Sequence, residues 1–147
     1  MKWQMVDIDS FLQSREYVDT AVVPLLSVSF DEELKRNASK ADFITIVSQE
    51  LERQLKGRIM LLPPFVSLKN DDIDLDKLLK KWKDTIKQHF QHVIFLTCEE
   101  RWRKEGDEFI WIPSIPIEHM DQDVKRKVVQ DQIEQIMNIL LQYWNRT

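Results

Sequence analysis

Two apolar rhythms take turns along this chain. Continuous β-branched and aliphatic runs at residues 21–28, 58–62 and 92–97 have the pattern of strands buried on both faces. Elsewhere the apolar residues fall three or four apart: Ala41, Ile44, Val47, Leu51 and Leu55 in one segment, Leu75, Leu78, Leu79, Trp82, Ile86 and Phe90 in the next. That spacing predicts helices with one buried face. A first, short helix is expected with Asp7 as its cap, Val6 packed on Phe11 as a staple, and an end near Tyr17. The second helix opens at Asn37 or Ser39, and Gly57 stands where a C-cap glycine belongs. Pro24 removes a ladder donor from the first strand, so a bulge or sheet edge is expected there, while Pro63 and Pro64 end the second strand.

Strand, helix and strand in succession predict right-handed parallel crossovers for the first three strands. The connection after the third strand is short, and Lys104-Glu105-Gly106-Asp107 reads as a hairpin turn leading into a fourth strand at residues 108–112. In that register Trp102 faces Phe109, Cys98 faces Pro113, Leu96 faces Ile115, Ile94 faces Ile117 and Arg103 faces Glu108. Asp121 caps a last helix with a broad apolar stripe that includes Val124, Val128, Ile133, Ile136 and Leu140. The expected fold is a single α/β domain over residues 1–147: three layers around a four-stranded mixed sheet of order 2-1-3-4, with strand 4 antiparallel at an edge. Pro113 and Pro116 would guard that edge, and a monomer is favoured over a homodimer.

Composition removes several function classes. The 21 basic and 25 acidic side chains leave a net charge of −4, against a general nucleic-acid binder. No stretch approaches the roughly 20 apolar residues of a membrane span. One cysteine and the absence of an apolar leader point to the cytoplasm. Only two glycines are present, too few for a loop that cradles phosphates with its backbone.

The residues that could carry chemistry are sparse. His89 and His92 lack the further ligands of a zinc site. Asp72, Asp74 and Asp76 alternate as in a calcium loop, but Lys77 and Lys83 occupy the positions that need glycine and glutamate, so helix capping is the better reading. Cys98, followed by Glu99 and Glu100, lacks the anion loop of a phosphatase-type thiolate. No metal and no cofactor is expected.

Met1-Lys2-Trp3, Tyr17-Val18-Asp19-Thr20-Ala21 with Pro24-Leu25, residues 56–63 and Pro116-Ile117-Glu118-His119 together resemble the YpiF-like family of uncharacterised small proteins from Bacillus-type bacteria. The resemblance implies a cytosolic bacterial protein and carries over no catalytic motif. Two functional readings remain open, and the sequence does not specify an activity. The preferred one is an interaction or regulatory module that binds a protein partner through the tip of the hairpin, with Arg101, Trp102, Arg103, Phe109 and Trp111 in contact. The alternative is a small-molecule or enzymatic site at the carboxyl ends of strands 1 and 3, built from Ser27, Ser29, Thr97, Cys98, Glu99 and His119.

Overall fold

The computed structural model describes residues 1–68, 74–103 and 106–146. Helix α1 (Met5–Gln13) is followed by strand β1 (Thr20–Val28), helix α2 (Leu34–Gln54), and strands β2 (Ile59–Leu61) and β3 (Phe65–Leu68). Helix α3 (Leu75–Ile86), strands β4 (His92–Thr97) and β5 (Phe109–Trp111) and helix α4 (Gln122–Asn145) complete the chain. The sheet runs β2-β1-β4-β5, with β3 lying beside β1 beyond the end of β2, and every one of its ladders is parallel.

Alternation along the strands sorts side chains onto two faces. Val22, Ile94, Leu96 and Ile110 meet Phe43, Val47 and Leu51 of α2 and Ile133, Ile136 and Leu140 of α4. Val23, Leu25, Val93 and Phe95 face Leu75 and Leu79 of α3 on the other side. On that same side Phe11 of α1 covers Met60. The three layers are therefore helix, sheet and helix.

Two features of the expected sheet are corrected. It has five strands, because Pro63 and Pro64 interrupt the second strand without ending the pairing: β1 takes up β3 again at Leu25 opposite Phe65. The last strand is parallel, with Phe95 opposite Phe109 and Thr97 opposite Trp111, so the hairpin register does not form. The short connection suffices for a parallel strand because β5 pairs with only the last three residues of β4. At about 3.3 Å per residue the chain has to descend only roughly 10 Å to start it. A single 3-10 turn, Glu100–Trp102, begins that descent on the α3 side. Of the turn assigned to a hairpin, Lys104 and Glu105 lie outside the described residues, as does Asp72 of the acidic loop.

Pro24 stands inside the central strand rather than at an edge. The Leu62 N–H donates to the Val22 carbonyl at 2.9 Å, so Val22 turns its backbone groups toward β2. Alternate residues of a parallel strand face the same neighbour. The donor that Pro24 lacks is thus directed at the interruption between β2 and β3, where Pro63 and Pro64 lack donors too.

Local signals shift in smaller ways. Val6 is 70% exposed and forms no staple. Asp7 sits within the first turn of α1, where its carboxylate accepts from the Lys2 N–H at 2.7 Å. Helix α1 stops at Gln13 rather than near Tyr17, and α2 starts at Leu34, ahead of Asn37 and Ser39. Asp74 and Asp121 do cap α3 and α4 through Lys77 N and Val124 N.

At the amino ends of the strands a polar clamp ties down the end of α4. Trp144 Nε1 donates to Thr20 Oγ1 at 2.8 Å, and Thr20 donates to Asp19 at 2.9 Å. Asp19 pairs with Arg58, whose guanidinium lies 3.8 Å over the Trp144 ring. His92, 3% exposed, meets Tyr143 edge-on at 5.1 Å.

Burial holds the His92 imidazole below its ordinary pKa of 6.5, against the pull of Asp19 and with the help of Arg58 and Lys87. The folded state therefore keeps a neutral ring, and the unfolded chain binds the proton first. This contribution to stability is complete above pH 6.5 and declines as pH falls below it. His92→Phe retains the ring contact and removes the titration, so its urea-unfolding free energy should drop less than the wild type's between neutral and mildly acidic pH. Equal drops would refute the assignment.

Gly57 does not adopt a left-handed cap, since the positive-φ residue among those described is Gly106. A Cβ at Gly57 would meet nothing within 4 Å. Gly57→Ala should then stabilise the fold by about 0.5 kcal/mol in urea titrations, by restricting the unfolded chain. Destabilisation would show that the turn needs glycine after all.

Candidate functional site

The chain leaves β1 through α2 to build one side of the sheet and returns through α3 to β4 on the other side. Diverging connections at the carboxyl ends of β1 and β4 open a crevice there, the position at which open α/β sheets bind ligands. A cavity of about 430 Å³ occupies it, with Ser27 and Ser67 from the strand ends, Arg36, Asn37 and Lys40 from α2, and Glu99 after β4 in its walls.

Hydrogen bonds fix these walls. Asn37 Nδ2 donates to Ser29 Oγ at 2.7 Å, joining the first turn of α2 to the end of β1. Lys40 Nζ reaches Glu99 Oε2 at 3.3 Å, an ion pair between α2 and the end of β4 whose side chains are 13% and 16% exposed. The Glu99 N–H donates to Thr97 Oγ1 at 2.9 Å, which settles the backbone where it leaves the sheet. Arg36 pairs with Glu33 at 3.7 Å, so two of the cations in the walls already hold a carboxylate.

Of the ligand-site residues expected from sequence, Ser27 and Glu99 line the cavity. Ser29 and Thr97 are buried behind it as supports. Cys98 turns into the core between the sheet, α2 and α4, and burial, with Glu99 adding to it, pushes its thiol up to about 12. His119 is exposed and stands apart from the cavity walls. Arg36, Asn37, Lys40 and Ser67 were missed. The first three precede or flank the helix start expected at Asn37 or Ser39, and Ser67 belongs to β3, which the two prolines concealed. A signal did exist for the helix residues: a helix that follows the first strand of such a sheet presents its opening turns at the crevice.

The expected protein-binding tip is rearranged. Trp102 is 5% exposed, stacked on Phe109 at 5.6 Å, and Phe109 in turn lies 5.1 Å from Phe95. Trp111 is half-buried beneath the Arg103 guanidinium at 4.0 Å. Its indole nitrogen is buried and has no hydrogen-bond partner among the described residues. Arg101 stays exposed and lies 4.6 Å over the Trp102 ring.

Among the described residues, no three His, Cys, Asp or Glu side chains are placed to hold a metal ion. No helix among them is long and apolar enough to cross a membrane.

A parallel sheet wound in both directions, with a polar crevice at its switch point, defines a doubly wound α/β domain. The chain belongs to the family described as "Protein of unknown function (DUF2487)", which matches residues 9–144. It is 38% identical over 147 residues to "Uncharacterized protein YpiF" of Bacillus subtilis (strain 168), an alignment that spans 99% of both chains. No solved structure matches it.

With its thiol pushed up to about 12, Cys98 stays protonated at pH 8. The folded protein should resist iodoacetamide at that pH and react at once in urea. Rapid stoichiometric alkylation of the folded chain would place Cys98 in an open site instead.

Proposed function

We propose that this chain is a small-molecule binding module whose ligand sits in the crevice at the carboxyl ends of β1 and β4. The observation that carries the reading is the Lys40–Glu99 pair in the wall of a 430 Å³ cavity, largely shielded from water and flanked by the neutral polar groups of Ser27, Asn37 and Ser67. A shielded ion pair at a cavity wall can exchange its internal contact for one with a ligand of complementary charge. The ligand that suits both members carries an anionic group for Lys40 and a cationic or hydroxyl group for Glu99. The cavity lies within the roughly 300–1,000 Å³ range of small-molecule sites.

Binding is favoured over catalysis because Cys98, the strongest nucleophile in the sequence near this point, faces the core with a raised pKa. A protein partner at Arg101, Trp102, Arg103, Phe109 and Trp111 has less support. The aromatic groups that would anchor it are spent on internal packing against Phe95 and Arg103.

The test is amide NMR with a panel of amino acids, amino sugars and small hydroxy acids. A binder should shift the signals of Ser27, Asn37, Lys40 and Glu99, and Lys40→Met or Glu99→Gln should weaken it by about tenfold or more. A panel that leaves these signals unmoved, or a binder indifferent to both substitutions, would overturn the proposal.

A further inference from the structure

A second and larger cavity, about 760 Å³, lies at the other end of α2. Its walls come from the segment at residues 2–7, the second half of α2 and the opening turns of α4. In a chain of net charge −4, five cationic side chains gather here: Lys2, Arg53, Lys56, Lys125 and Arg126. Three carboxylates share the walls, and two of them, Glu50 and Glu52, are paired with cations. Asp7 accepts from the Lys2 N–H at 2.7 Å, and Glu50 is held by Arg53 and Gln54. Glu52, buried, pairs with the Met1 amine at 3.1 Å.

Lys2, Lys56, Lys125 and Arg126 therefore have no carboxylate partner among the described residues. They come from three separate elements around one concavity, whose apolar surface is supplied by Ile46, Val129 and the exposed Val6. Four cations from three elements match one ligand with several negative charges better than a single carboxylate. The volume suits an organic molecule of nucleotide size.

We propose that this cavity is a binding site for a small organic ligand carrying two or more phosphate groups, gripped by side chains from residues 2–7, α2 and α4. It would work without the glycine-rich backbone cradle that this sequence lacks, since two glycines stand in the whole chain and neither lines the cavity. A single-stranded nucleic acid is the competing polyanion. Such strands are held by bases stacked on aromatic side chains, and the walls contain no aromatic residue.

The test uses calorimetry and amide NMR with inorganic pyrophosphate, ADP, orthophosphate and a short RNA oligonucleotide, at low and physiological salt. ADP and pyrophosphate should bind more tightly than orthophosphate and shift amides at residues 2–7, 49–56 and 122–130. The double variant Lys125→Ala, Arg126→Ala should weaken ADP binding by about tenfold or more. Lys80→Ala, Lys81→Ala removes the same charge away from the cavity and should leave binding within about twofold. Equal losses in the two variants would reduce the effect to diffuse charge and overturn the site. So would the absence of shifts with every phosphate probe, parity between orthophosphate and ADP, or an affinity for RNA that exceeds that for ADP. The crevice residues take no part in this experiment, so its outcome is independent of the ligand bound there.

Discussion

Everything in this fold leans on β1. It is the strand that pairs on both sides along its length, with β2 and then β3 on one edge and β4 on the other, and its residues from Thr20 to Leu25 are buried. A strand so placed must have its side chains covered on two faces and its backbone groups met on two edges. The helices on both sides answer the first demand. The second is answered with one exception, the donor missing at Pro24, and that exception coincides with the one interruption in the neighbouring ladder. A proline in a central strand is tolerable when the partner has nothing to offer at the same point, and Pro63 and Pro64 ensure this.

The same arrangement explains why both cavities touch α2. Its first turns lie at the carboxyl end of β1, tied there by Asn37 to Ser29, and its last turns lie at the amino end, beside the N-terminal segment and α4. The core face of the helix, from Phe43 to Leu51, is spent on packing. What remains for function is its two ends, where it separates from the sheet and meets other elements at an angle. Polar side chains can converge there without being buried among apolar ones.

The fold class was legible because it follows from rhythm. Continuous runs at residues 21–28 and 92–97 and the three-or-four spacing of Leu75, Leu78, Leu79, Trp82 and Ile86 are consequences of two-sided and one-sided burial, and both can be read from one chain. What stayed hidden depended on contacts between distant segments. Direction in β5 rests on where along β4 it starts, which no local pattern in residues 108–112 encodes. The burial of Trp102 follows from that direction, since a turn on the α3 side brings the indole onto Phe109 instead of lifting it into solvent. β3 was concealed because two prolines are a stop signal in a continuous strand, while in this sheet they are only a gap. Two residues of the crevice were legible for the same reason as the fold: Ser27 and Glu99 are fixed by strand ends. Arg36, Asn37 and Lys40 depended on a helix start three to five residues earlier than the capping signals suggested.

The charges at the two ends of α2 differ in what structure alone accounts for. At the crevice, Arg36 and Lys40 each hold a carboxylate. At the far end, Arg53 lies in the last turn of α2, and with Lys56 just beyond it, both stand at the negative pole of the helix, where a cation is favourable whatever else it does. Lys125 and Arg126 have no such account. They stand in the opening turns of α4, close to the positive pole, where like charge is repelled, and Lys127 adds to the repulsion. Asp121 and Asp123 lie at the start of the same helix, but neither forms an ion pair with them among the described residues. Cations held at the positive end of a helix, without a carboxylate, lower stability slightly. A phosphate group beside them would convert that repulsion into attraction, for the helix terminus and the side chains would then act on it in the same direction.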